Sequence, residues 1–170
     1  MTYRIGLLDK SHIAAGSSGP EALATTLAAA RLADRLGYHR YWLAEHHGTP
    51  ALASAAPEIL VSHILAQTQH IKVGSGGVLL QHYAPYKVAE VFSVLASLAP
   101  GRVELGIGKS PGGLPQATRA IQSELAPHSA RELDRKLTEL DAWLNGPHRD
   151  ADLFPRPAVL PDRFLLGGSV

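Results

Sequence analysis

Short apolar runs and amphipathic helical stretches alternate along this chain at a nearly constant interval. The apolar runs begin near residues 3, 39, 70, 102 and 163, so the first three intervals are 36, 31 and 32 residues. Units of that length are crossovers that bring each strand back parallel to the one before, with helices covering the sheet. A closed eight-unit barrel of about 250 residues has about 31 residues per unit. Two architectures satisfy the period: an open doubly wound sheet, or part of a (β/α)8 barrel.

Local signals place the elements. Residues 3–8 and 39–44 read as strands, and 70–80 as a strand interrupted by glycines. Residues 102–107 make a fourth strand, and FLLGGSV at 164–170 a fifth. Pro20 opens a helix whose stripe is Leu23, Leu27, Ala30 and Ala33, with Gly37 as its stop. A second helix starts near Pro57 with Ile59, Leu60, His63 and Ile64 on one face, which makes His63 a core histidine. A third runs from Pro85 to Leu98 on Val88, Val91, Phe92, Leu95 and Leu98. Residues 109–128 lose the pattern and read as loop. Ser129 and Glu132 then form a capping box for a helix striped by Leu133, Leu137, Leu140 and Leu144.

Composition removes several function classes. Sixteen basic residues balance fifteen acidic ones, which is no electrostatic footprint for nucleic acid. There is no cysteine, hence no disulfide, thiol nucleophile or cysteine metal cluster. No apolar run nears the roughly 20 residues of a membrane span, and MTYRIGLLDK lacks a secretory pattern. The expectation is a cytoplasmic protein.

In either architecture the chemistry belongs at the carboxyl ends of the strands. The second strand ends in Glu45-His46-His47. Imidazole moves protons near neutral pH and a carboxylate can orient it, although the segment also reads as a plain polar loop start. No metal site is expected: H-E-x-x-H is missing, and adjacent histidines on extended backbone do not easily share one ion. His12, His82, His128 and His148 fall in loops and carry no argument. The third strand carries Gly74-Ser75-Gly76-Gly77, where glycines let a flat ligand approach the backbone or let the strand bend. The run after the fourth strand is not the G-x-G-x-x-G dinucleotide fingerprint, and Lys109 there reads as a phosphate partner or a solvated lysine.

Taken together, LGYHRYWLAEHHG, AAPEIL, IKVGSGGVLLQHYAPYKVAEVFSVLASLAPGRVELGIGKSPGG and FLLGGS resemble the bacterial luciferase-like monooxygenases, which are flavin-dependent (β/α)8 barrels. The resemblance covers most of residues 3–113 and a short match at 163–169. It implies a partial TIM barrel, α/β, of about five parallel strands with flanking helices. It implies that His46 assists proton transfer around the flavin, that Glu45 is its orienting or packing partner, and that Gly76–Gly77 forms a cis peptide backing the isoalloxazine ring. Lys109 falls where the family places an arginine on the flavin phosphate, and lysine lacks that bidentate fork. Ser169 matches a serine contacting the same phosphate, and Gly108 sits where luciferase has a reactive cysteine.

The implied activity is a flavin-dependent monooxygenase using molecular oxygen on a small organic substrate. FMN is the implied cofactor, with a deazaflavin as the alternative. The competing expectation is a non-catalytic, truncated flavin-binding or assembly protein of the same family. Residues 1–170 are expected to form one luciferase-like domain, truncated relative to the family, with 109–162 as irregular loop plus one helix. Five strands cannot close an eight-stranded barrel. A homodimer is therefore expected to bury the open edges and an inward face lined by Val73, Val103, Leu105, Leu165 and Leu166. In the alternative, residues 109–162 fold back and plug that face.

Overall fold

The computed structural model describes residues 3–122, 130–145 and 159–166. Within them the chain runs β1 (Gly6–Asp9), α1 (Gly19–Arg35), β2 (Arg40–Leu43), α2 (Pro57–Leu65) and β3 (Lys72–Leu79). A 3₁₀ turn (Leu80–His82) leads to α3 (Pro85–Leu98), β4 (Val103–Gly108), α4 (Pro115–Ile121), α5 (Ala130–Asn145) and β5 (Asp162–Leu166). All neighbouring strands pair in parallel, in the order β1-β2-β3-β4-β5. A doubly wound sheet would reverse its strand order at a switch point, so this sequential order is that of a barrel segment.

Each helix has a local cause. Ser18 and Glu21 close a capping box on α1, Pro20 sits in its first turn, and Gly37 takes φ +76° just after its end. Prolines also open α2, α3 and α4, where the missing N–H costs no helical bond. The short α4 falls inside the stretch expected to be loop. None of its residues is buried, so it lacks the apolar stripe by which a helix is read. The expected cap Ser129 lies outside the described residues.

Side chains alternate across a strand, and the helices decide which face is covered. Tyr41, Leu43, Val73, Val103, Leu105 and Ile107 pack with Val61, Ile64, Val88, Phe92, Leu140 and Leu144 in the core. This corrects the expected inward face. Val73, Val103 and Leu105 lie under the helices, and Leu165 faces a groove shared with Leu137 and Leu140. The inward face carries Leu8, Arg40, Trp42, Glu104, Phe164 and Leu166, joined by ring, ion-pair and cavity contacts. Helix α5 packs on the helix side of the sheet through Leu140 and Leu144, so it does not plug that face. Ile59, His63 and Leu98 are exposed, which removes His63 from the core. Among the described residues no helix is long and apolar enough to cross a membrane.

Candidate active site

The carboxyl ends of β2, β3 and β4 enclose a cavity of about 340 Å³. Its lining includes Leu8, Trp42, Glu45, His46, Gly76, Gly77, Gly108, Lys109 and Leu166. The β3–β4 register slips between Ser75 and Val78, and the Gly76–Gly77 peptide within that slip is cis. A Cβ at Gly76 would lie 2.7 Å from Leu8 Cδ1 and 3.1 Å from Trp42 Cβ, and one at Gly77 would lie 2.8 Å from the Gly106 oxygen. Only bare backbone fits this floor.

His46 stands at the cavity, half-buried, with its backbone N–H donating to Ser54 O at 3.0 Å. Its ring Nδ1 is buried and has no hydrogen-bond partner. Burial, reinforced by Lys10, His47 and His12 against the opposing pull of Glu45, holds its pKa below the ordinary value of 6.5. A half-buried imidazole that stays neutral beside the cavity can take or give a proton there.

Glu45 does not orient His46. Its fully buried carboxylate accepts from His47 Nε2 at 2.7 Å, Tyr83 Oη at 2.7 Å and Leu79 N at 3.0 Å. Consecutive residues of an extended segment point opposite ways, which sends His47 and Glu45 toward one wall and His46 toward the cavity. Burial and the bond to Glu45 push the Tyr83 hydroxyl pKa well above its usual range.

His82, set aside in the sequence, belongs to this wall. It is 6% exposed and its ring stands edge-on to His47 at 5.6 Å. Its Nε2–H donates to the Pro111 carbonyl at 2.9 Å, and the Gln122 amide donates to its Nδ1 at 2.5 Å. Both partners lie in the segment after β4, so His82 ties that segment down. The His47 backbone N–H bonds Gly112 O at 2.8 Å beside it. Side chains have no room there: a Cβ at Gly113 would sit 2.2 Å from His47 O. A lone histidine in a short turn carries no periodic signal in the sequence.

Lys109 is exposed at the cavity rim, while its carbonyl accepts from Gln81 Nε2 at 3.2 Å. Ser169 lies outside the described residues. Lys136, likewise unremarked in the sequence, is buried and donates to Gln81 O and Tyr83 O, each at 2.9 Å. It anchors α5 to the turn that presents Tyr83 and His82.

The model of the family described as luciferase-like monooxygenase matches residues 3–161. The chain belongs to that family. The N-acetyl-S-alkylcysteine monooxygenase of Bacillus subtilis (strain 168) is 46% identical over 172 residues, covering 98% of this chain and 51% of that protein. The crystal structure of apo-MsnO8 superposes with a TM-score of 0.89 at 37% identity, covering 99% of this chain and 50% of that one. The oxygenating constituent of 3,6-diketocamphane monooxygenase from Pseudomonas putida, a type II Baeyer-Villiger enzyme solved with FMN, has a TM-score of 0.78 at 22% identity. It covers 97% of this chain and 51% of that one, and is a likeness of fold. The family chain thus spans about half the length of the relatives it matches.

Proposed function

We propose that this chain forms the flavin-facing half of a flavin-dependent monooxygenase, with FMN as cofactor and a deazaflavin as the alternative. The observation that carries the reading is one cavity that joins a bare-backbone floor at Gly76–Gly77, the half-buried ring of His46 and a cation, Lys109, at the rim. A flat ring with an anionic tail matches that set. Gly76 and Gly77 would carry the ring, Lys109 would hold the phosphate with Ser169 as a candidate second contact, and Trp42 and Leu8 would exclude water. Bound reduced FMN would supply the electrons for transferring one oxygen atom from molecular oxygen to the substrate. The His46 ring would hold or move a proton at the cavity wall. Glu45 acts from behind: it fixes His47, Tyr83 and the end of β3, and through them the cavity wall.

The substrate is a small organic molecule with a site for one oxygen atom. The name of the 46% identical relative makes N-acetyl-S-alkylcysteines the first compounds to test. The test is oxygen uptake and substrate oxidation by the purified chain supplied with reduced FMN. Turnover that disappears in His46→Ala supports the reading, and no substrate oxidation with any thioether, ketone or aldehyde opposes it.

The second reading is a flavin-binding or assembly protein of the same family without turnover. FMN binding without oxygen-dependent product formation would select it. Both readings include a homodimer, because Leu8 on the inward face is 55% exposed.

A further inference from the structure

The inward face below the cavity holds a buried acid that the flavin reading leaves without a task. Glu104 on β4 has a fully buried side chain. The Trp42 indole N–H donates to its Oε2 at 2.5 Å, and Arg40 Nη2 lies 3.3 Å from its Oε1. The ion pair is loosely made, since Oε1 and Arg40 Nε have no hydrogen-bond partner. The well-formed contact of this carboxylate is the one to the indole.

The indole is held on its other sides too. The Arg40 guanidinium stands 5.1 Å from the Trp42 ring and 5.0 Å from the Phe164 ring, and Phe164 meets Trp42 edge-on at 5.3 Å. Toward the cavity, Trp42 Cε3 would lie 3.2 Å from a Cβ at Gly76, so the ring rests against the backbone of the floor. Glu104 reaches the indole because β3 gives it room at Gly74, its register partner. A Cβ there would lie 2.7 Å from Glu104 Cβ and 2.1 Å from its backbone oxygen. Gly74 therefore serves Glu104, while Gly76 and Gly77 serve the cavity.

We propose that Glu104 is a positioning residue: its carboxylate, accepting the indole N–H, fixes Trp42 as the cavity wall beside Gly76–Gly77 and thereby sets the cavity's affinity for a flat ligand. An aromatic wall with no polar anchor would turn about its side-chain torsions, and each orientation would present a different cavity. The Arg40 guanidinium 3.3 Å away offsets part of the cost of burying the carboxylate. The ligand half of the proposal rests on the flavin reading; the indole half does not.

The experiment uses the full chain and three variants. Glu104→Gln keeps a carbonyl acceptor for the indole, Glu104→Leu removes it, and Arg40→Met/Glu104→Leu removes it without stranding the arginine. Two signals are read: the ¹H–¹⁵N resonance and relaxation of the Trp42 indole, assigned through Trp42→Phe, and the FMN dissociation constant from quenching of flavin fluorescence. The indole N–H is expected downfield and rigid in the wild type and Glu104→Gln, and upfield and mobile in both leucine variants. FMN binding is expected to weaken about tenfold in the leucine variants and to stay within about threefold in Glu104→Gln, the scale of one hydrogen bond. An indole signal indifferent to Glu104 overturns the proposal. So does an indole that loosens in a folded double variant while FMN affinity stays unchanged. If the wild type binds no FMN, the flavin reading falls, and the indole signal alone decides whether Glu104 fixes the ring.

Discussion

The Glu45 carboxylate lies 2.7 Å from Nε2 of His47, two residues along the same segment, and the intervening His46 turns to the cavity. This parity separates a structural acid–histidine pair from the imidazole that faces the cavity. Glu45→Ala leaves the Tyr83 hydroxyl, the His47 ring and the Leu79 N–H without their acceptor. At about 1–3 kcal/mol for each stranded buried donor, the variant is expected to lose about 3 kcal/mol or more in urea unfolding. Glu45→Gln, which keeps a carbonyl, is expected to lose less. A Glu45→Ala midpoint equal to wild type would contradict the hub.

His46 gives a dependence on pH. Burial lowers its folded pKa below 6.5. Between that lowered value and about 6.5 the unfolded chain takes up a proton that the folded chain refuses, so stability rises with pH across this window. His46→Phe is expected to flatten the rise, measured as urea midpoints from pH 5 to pH 7.5. An unchanged slope would place the ring's titration elsewhere.

His82 holds the segment after β4 through Pro111 and Gln122. His82→Ala is expected to speed tryptic cleavage after Lys109 and Arg119 at least fivefold, about 1 kcal/mol of local opening. The global unfolding midpoint should move less. Equal cleavage rates in the two proteins would mean that something else pins the segment.

The repeating strand–helix period made the parallel sheet legible, because burial on one face writes itself into spacing. The glycines of β3 were legible as a place of close approach for the same reason: only steric need puts Gly76 and Gly77 in a strand. Which sheet face Val73 and Leu105 would take was not legible. Parity follows from where the helices land, and a run as short as β4 does not itself say which of its sides meets them. The roles of His82, Lys136 and Glu104 were hidden as well. Each depends on partners 29 to 62 residues away in sequence, such as Pro111 for His82 and Trp42 for Glu104.

Self-association tests the inward face. Trp42, Phe164 and Leu166 are only partly buried there, and Leu8 is exposed. Light scattering at about 10 µM is expected to give twice the 18.1 kDa chain mass, with Leu8→Glu shifting the protein toward monomer by stranding a charge in the contact. A wild-type monomer at that concentration would remove the homodimer from the account.

FMN titration of the full chain, followed by flavin fluorescence, tests the central claim most directly. Saturable one-to-one binding is expected. Binding at least tenfold weaker is expected in Lys109→Glu, where a repelling charge replaces the exposed rim cation. Absence of saturable binding, or equal affinity in that variant, would contradict the assignment of this cavity to a flavin.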